Sequence, residues 1–243
     1  MTRTSDHIVS SYDEELNHLN SLISRMGGLA ETQLDGAAQA VLRRDAELAA
    51  QVRAQDKEID ALEHDVGALV VQLLALRQPM AVDLRYIVSA LKIAADLERF
   101  GDYAKNVAKR AIAISQMPHI PSPGLDRMAR LVQAMIKDVL DAYLENDTDK
   151  AIAVWNQDVE VDQLYNSLFR ELLTYMMEDP RNITGCTHLL FIAKNIERMG
   201  DHATNIAETV HYQVKGVELP DDRPKGEDPS FAVFQAADTG DAE

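Results

Sequence analysis

Glu98-Arg99-Phe100-Gly101-Asp102-Tyr103-Ala104-Lys105-Asn106-Val107-Ala108 returns 99 residues later as Glu197-Arg198-Met199-Gly200-Asp201-His202-Ala203-Thr204-Asn205-Ile206-Ala207. Glu, Arg, Gly, Asp, Ala, Asn and Ala stand in identical places. Upstream, Gln55-Asp56-Lys57-Glu58-Ile59-Asp60 returns as Gln157-Asp158-Val159-Glu160-Val161-Asp162, at an offset of 102. Two motifs repeated in the same order make the chain two copies of one unit. Each copy carries two carboxylate pairs spaced i, i+4, and that spacing sets both members of a pair on one helix face.

Working outward from these segments, six helices are expected. The first covers 8–43. Asp45 is placed to cap a second that runs to about Arg77. Pro79 interrupts, and Asp83 is placed to cap a third, ending near Gln116. The run Met117-Pro118-His119-Ile120-Pro121-Ser122-Pro123-Gly124 cannot continue a helix and reads as the boundary between copies. Asp147 then takes the place of Asp45, Asn182 that of Asp83, and Pro180 precedes the last helix. Short connections favour antiparallel neighbours, so the fold expected is all-α, two tandem pseudo-symmetric three-helix bundles. The divisions are 1–116, a linker at 117–124, 125–216, and an acidic tail over 217–243 read as flexible.

The composition agrees. Apolar residues make up 46% of 243 while aromatics are only 5%, a balance that suits packed helices better than a β-sandwich. The formal net charge is −16, and without residues 216–243 it is still −10. A surface of that sign repels nucleic acid and anionic lipid and favours cations or basic protein partners. The single cysteine, Cys186, excludes an intramolecular disulfide and falls on an apolar stripe as a small buried hydrophobe. No signal peptide opens the chain and no apolar run approaches ~18 residues, so a cytoplasmic protein is expected, without direct membrane insertion.

The repeated carboxylates carry the chemistry. In the third helix Leu84, Ile87 and Leu91 project close to the direction of Glu98, with Asp102 to one side. Ile183 and Leu190 lead to Glu197 and Asp201 in the same way. Val52, Val70 and Leu74 share a stripe with Asp56, Asp60 and Glu63. Val154, Phe169 and Leu172 share one with Asp158 and Asp162. Each bundle therefore aims at least four carboxylates, from two helices, at one groove. Partly buried and unpaired, such charges cost several kcal/mol each. The leading reading is a metal site, with a salt-bridged seam and a solvated acidic face as alternatives.

Lys105 and Lys109 serve the seam in the first copy, but Thr204 and Glu208 replace them in the second, where Lys194 is the remaining candidate. Gly101 and Gly200, mid-helix and beside the Asp, imply close backbone approach or room for ions. An all-oxygen donor set favours hard cations such as Mg, Mn or Fe. The Glu-x-x-His pattern of di-iron enzymes is missing. His202 is expected to face away from Glu197, and His64, His188 and His211 to be surface or packing residues. No phosphate-binding loop, dinucleotide fingerprint or nucleophile elbow is present, which argues against an enzyme.

The doubled E-R-x-G-D-x-A-x-N-[VI]-A segment, each copy paired with Asp-x-x-x-Asp, resembles the PhoU family over roughly residues 10–215. Asp83-Leu84-Arg85 and Ile93-Ala94-Ala95-Asp96-Leu97-Glu98-Arg99 extend the resemblance. It implies two symmetric three-helix bundles, a homodimer, and a cytoplasmic negative regulator of the phosphate-starvation (Pho) response. Such a regulator links the PstSCAB transporter, through its PstB ATPase, to the PhoR sensor kinase, and touches the membrane only through the transporter. The resemblance also implies metal ions, in some members multinuclear iron, held here by Asp56 and Asp60 with Glu98 and Asp102, and by Asp158 and Asp162 with Glu197 and Asp201. Asn106 and Asn205 are added as groups supporting those ligands. A carboxylate-metal enzyme on a helical scaffold is the alternative.

Overall fold

Asp45 and Asp147 start their helices identically. Each has φ −91° and ψ 100°, and its carboxylate accepts from the backbone N–H groups two and three residues on, at 2.9–3.0 Å. The residue before each, Arg44 (φ 57°) or Asn146 (φ 54°), lies in the left-handed region that reverses the chain out of the preceding helix. Asp45→Ala and Asp147→Ala should each lower stability by about 1 kcal/mol, read as a shifted midpoint in urea unfolding.

A computed structural model describes residues 3–220, with side chains from Tyr12 onward except that of Pro123. It contains α1 (Arg3–Arg43), α2 (Ala46–Arg77), α3 (Val82–Ile114), α4 (Pro123–Glu145), α5 (Thr148–Glu178), a 3₁₀ turn (Pro180–Asn182) and α6 (Ile183–Lys215). No strand occurs among the described residues. The expected tail lies outside them from residue 221 onward.

Two expected caps are not formed. Ala81, not Asp83, precedes α3, with no side-chain cap; Asp83 sits in the first turn, where its charge still favours the helix dipole. Asn182 makes no cap bond to α6; its amide donates to Tyr175 O at 3.4 Å. Asp179 caps the 3₁₀ turn instead, bonding Arg181 N at 2.9 Å.

The copies differ in length at their first helix. α1 has 41 residues and α4 has 23. At the repeat offset, Pro123 matches Ser21, so the first half of α1 is an extension without a helical counterpart.

α3 and α6 pack antiparallel along the middle of the molecule. Lys92 lies over the Tyr212 ring, Asp96 meets His202, and Arg110 meets His188 and Phe191. The pairing centres near Phe100 and Met199, repeat counterparts that are both fully buried. Along this seam the two expected bundles meet. The buried side chains of α1–α3 and α4–α6 form one continuous core.

Gly101 and Gly200 have a plain packing reason. A Cβ on Gly101 would meet Ile59 Cδ1 at 3.0 Å and Gln33 Oε1 at 3.2 Å; one on Gly200 would meet Val161 Cγ1 at 3.3 Å. Each lets α3 or α6 close on the other two helices of its own bundle.

Candidate functional site: two acid clusters in repeated grooves

α2 buries Val52, Ile59, Leu62 and Val66. Asp56 falls on that same face, one turn after Val52, and its side chain is only 4% exposed. Asp60, one position past Ile59, is exposed. Across the groove α3 presents Glu98 and Asp102, both partly exposed. Lys105 joins the two helices. Its Nζ donates to Asp56 Oδ2 at 2.5 Å and stands 3.6 Å from Asp102 Oδ1. The bond to Asp56 holds the Lys105 ammonium above its ordinary pKa. Arg99 lies 3.4 Å from both Glu98 and Asp102 on the solvent side.

Burial, then the Asp102 charge, pushes the Glu98 carboxyl above its usual range. Burial, then Asp56, does the same to Asp60.

The second copy repeats the acids and changes the cation. Asp158 is buried, like Asp56, while Asp162, Glu197 and Asp201 are partly exposed. Thr204 stands where Lys105 would be and turns its hydroxyl onto Asp201 O, 2.7 Å away. The ammonium comes instead from Lys194, one turn before Glu197, whose Nζ donates to Glu197 Oε1 at 2.7 Å and lies 5.2 Å from the centre of the Tyr165 ring. Glu197 Oε2 is buried and has no hydrogen-bond partner among the described residues. Burial raises the Glu197 carboxyl, against the pull of Lys194.

Asp56, Asp60, Glu98 and Asp102 thus stand on α2 and α3, and Asp158, Asp162, Glu197 and Asp201 at the repeat-matched positions of α5 and α6. The expected apolar stripe is not buried along its whole length: Leu84, Leu91 and Ile183 are 41%, 38% and 48% exposed. The core face of α3 instead runs through Ile87, Ala90, Ala94, Leu97 and Gly101, and Glu98 stands at its edge. Among the described residues no three His, Cys, Asp or Glu side chains gather as they would around a metal ion. As arranged, the Asp56 groove fits an ammonium, which is the salt-bridged seam.

Three features escaped the sequence reading. Gln33, on the buried face of α1, is 1% exposed, lies beside Gly101, and neither end of its amide has a partner among the described residues. Its repeat counterpart is Met135, a comparison that could have exposed it. His202 does turn from the acids, but toward Asp96 of α3, at 2.8 Å. Asn205 turns there too, 3.5 Å from Asp96, and Asn106 is exposed.

The chain matches the PhoU domain family over residues 23–111 and 125–210, once per repeat. The chain belongs to the PhoU family. A PhoU homologue of Caulobacter vibrioides, named a phosphate-specific transport system accessory protein, is 53% identical over 91% of this chain and 97% of its own length. One from Rhizobium meliloti, of the same name, is 51% identical over 90% and 93%. The crystal structure of PhoU from Pseudomonas aeruginosa superposes with a TM-score of 0.81 at 41% identity, over 85% of this chain and all of that one. The phosphate transport system regulatory protein PhoU of Streptococcus pneumoniae gives the same TM-score at 29% identity, over 86% and 99%. No helix among the described residues is long and apolar enough to cross a membrane.

The raised acids give this PhoU-family chain a definite pH dependence. Asp60, Glu98 and Glu197 bind protons more readily folded than unfolded, so their contribution is fully present below the unfolded pKa and is lost as pH rises through the folded one. Glu15, held low by its hydrogen bond to Arg77, acts oppositely and loses its contribution as pH falls through its depressed pKa. The melting temperature should therefore rise as pH falls from neutral toward the ordinary carboxyl range, about pH 4.5, and the Glu15 contribution should be lost below about pH 4. Glu98→Gln with Glu197→Gln should flatten the rise in calorimetric scans.

Proposed function

We propose that the chain is a signalling adaptor of phosphate transport. In this reading it represses phosphate-starvation genes when phosphate is plentiful, by coupling a PstSCAB-type transporter, through its PstB-type ATPase, to a PhoR-type sensor kinase. The observation that carries the reading is the match, over about nine-tenths of the chain, to relatives named as phosphate-specific transport system accessory proteins. The surface chemistry supports it. The chain is strongly acidic, suiting basic patches on a partner. Repeat-matched apolar residues, Val71 with Leu173 and Leu84 with Ile183, are exposed near the ends of the α2–α3 and α5–α6 hairpins. They would supply the apolar part of two docking faces.

Deleting the gene should leave phosphatase and transporter genes switched on in rich phosphate. Tagged protein should retain the ATPase or the kinase from phosphate-replete cells, more weakly as salt rises. Normal repression in the deletion strain, with neither partner retained, would overturn the reading. Light scattering of the purified chain tests the homodimer that belongs to it.

Cation binding is a separate part of the proposal. Hard cations would enter at the two acid grooves, Asp56, Asp60, Glu98 and Asp102 in one and Asp158, Asp162, Glu197 and Asp201 in the other, in exchange for a lysine ammonium. The buried Glu197 Oε2 without a protein partner and the raised carboxyls support it. Elemental analysis after incubation with Mn or Fe should find one groove's metal lost in Glu197→Gln and the other's in Glu98→Gln. Unchanged metal content in both variants would dismiss the assignment.

A further inference from the structure

Where the two repeats meet, the seam between α3 and α6 opens into two crevices related by the repeat. One, of about 370 Å³, lies beside the first turns of α6. Val41, Ile114 and Leu189 make it apolar, and the segment joining α3 to α4 runs through it. Ile120 of that segment closes it so tightly that a Cβ on Gly185 would meet Ile120 Cδ1 at 2.7 Å.

The other crevice, of about 670 Å³, lies beside the first turns of α3 and is lined by the extension of α1 in place of the linker. Its chemistry differs at matching positions, most at the first two. Gln213 stands for Ile114, Tyr86 for Gly185, Asn146 for Arg44, Asn17 for His119 and Asn20 for Ser122. The wall is fixed by hydrogen bonds: Asn20 Oδ1 accepts from the hydroxyls of Tyr86 and Tyr143, whose rings stack at 5.9 Å. Gln213 is 3% exposed. Its Nε2 donates to Asn146 Oδ1 at 3.0 Å, while its Oε1 has no partner among the described residues. An isoleucine serves the same place in the other copy, so a buried amide oxygen without a donor is a departure that packing does not require.

We infer that this polar crevice binds a compact organic cation with several N–H donors on an alkyl stem, a diamine or polyamine. Asn20 and Asn146 spend their carbonyl oxygens within the wall, so the acceptors left to a ligand include Gln213 Oε1 and the carboxylates of Asp13 and Asp83, the two charged side chains among the described lining residues, both on exposed positions. Leu16, Val82 and Val214 supply apolar surface between them, which suits a methylene chain and offers nothing to a bare metal ion. An anion would meet two carboxylates. Arg85, the base in the first turn of α3, is directed to the Gln213 carbonyl at 3.5 Å and packs on Gly216 instead of lining the crevice. The volume falls in the range of small-molecule sites.

Titration calorimetry of the full chain with spermidine and with putrescine, at physiological ionic strength, tests the inference. Saturable one-to-one binding is expected. Losing a charge-assisted contact in Asp83→Asn should weaken it about tenfold, and Gln213→Ile should weaken it similarly. Gln213→Ile restores the residue that the other copy tolerates, and Asp83 is exposed, so neither variant should disturb folding; melting curves check this. Glu58→Gln, an exposed acid away from the crevice, should bind as the parent does. Absence of saturable binding would overturn the inference. So would equal affinity in Gln213→Ile, an equal loss in Glu58→Gln, displacement by equimolar Mg²⁺, or binding of an arginine-rich peptide where spermidine fails.

Discussion

Lys105→Met should destabilise the protein by about 2–3 kcal/mol at neutral pH. The variant leaves the buried Asp56 carboxylate without its cation, beside Asp60 and Asp102. Breaking a fully buried pair on one side costs about 3–5 kcal/mol. The figure here is set lower because Lys105 is itself 42% exposed and water can partly replace it. The partner experiment fixes the cause. Adding Asp56→Asn to Lys105→Met removes the orphaned charge, so the double variant should recover most of the loss in a urea-unfolding cycle. If the double variant is as unstable as the sum of the two singles, the ammonium is not what offsets Asp56. The same variant addresses the cation proposal: with the lysine gone, millimolar Mn should raise the melting temperature of Lys105→Met more than that of the parent.

Exchanging Gln33 and Met135 should move stability in opposite directions. Gln33→Met replaces a buried amide lacking protein partners with the side chain that fills the matching place in α4, fully buried there. It should stabilise by about 1–2 kcal/mol. Met135→Gln puts an amide among apolar neighbours and should cost about 2–3 kcal/mol. A Gln33→Met variant that loses stability would mean that the amide is held by something the protein needs at Asp56, since Gln33 and Asp56 both flank Gly101. Loss of cation uptake in that variant would place Gln33 in the first acid groove by function as well as position.

Much of this protein was legible in one pass along the chain, for physical reasons that can be named. Helix number, the two Asp caps, the break at the prolines and the twofold repeat are local or periodic properties, set by backbone hydrogen bonding and by where proline and short polar side chains can sit. Within each helix the two acids of a pair lie close together because a 3.6-residue period fixes which side chains share a face. What that period cannot resolve is the edge of a stripe. Glu98 stands at such an edge, and Leu84, Leu91 and Ile183, placed inside it by the same arithmetic, are on the surface.

Tertiary structure decided the rest, because it depends on which helix lies opposite. Lys105 reaches Asp56 only across the α2–α3 groove, and His202 finds Asp96 only across the α3–α6 seam, 106 residues away in the chain. The fusion of two bundles into one core also follows from that seam. So does the divergence of its two crevices: the α1 extension enters one and the linker the other, and identical positions then face different neighbours. A repeat in sequence guarantees two copies of a fold unit. It does not guarantee two copies of an environment, since long-range contacts are set by what each copy packs against.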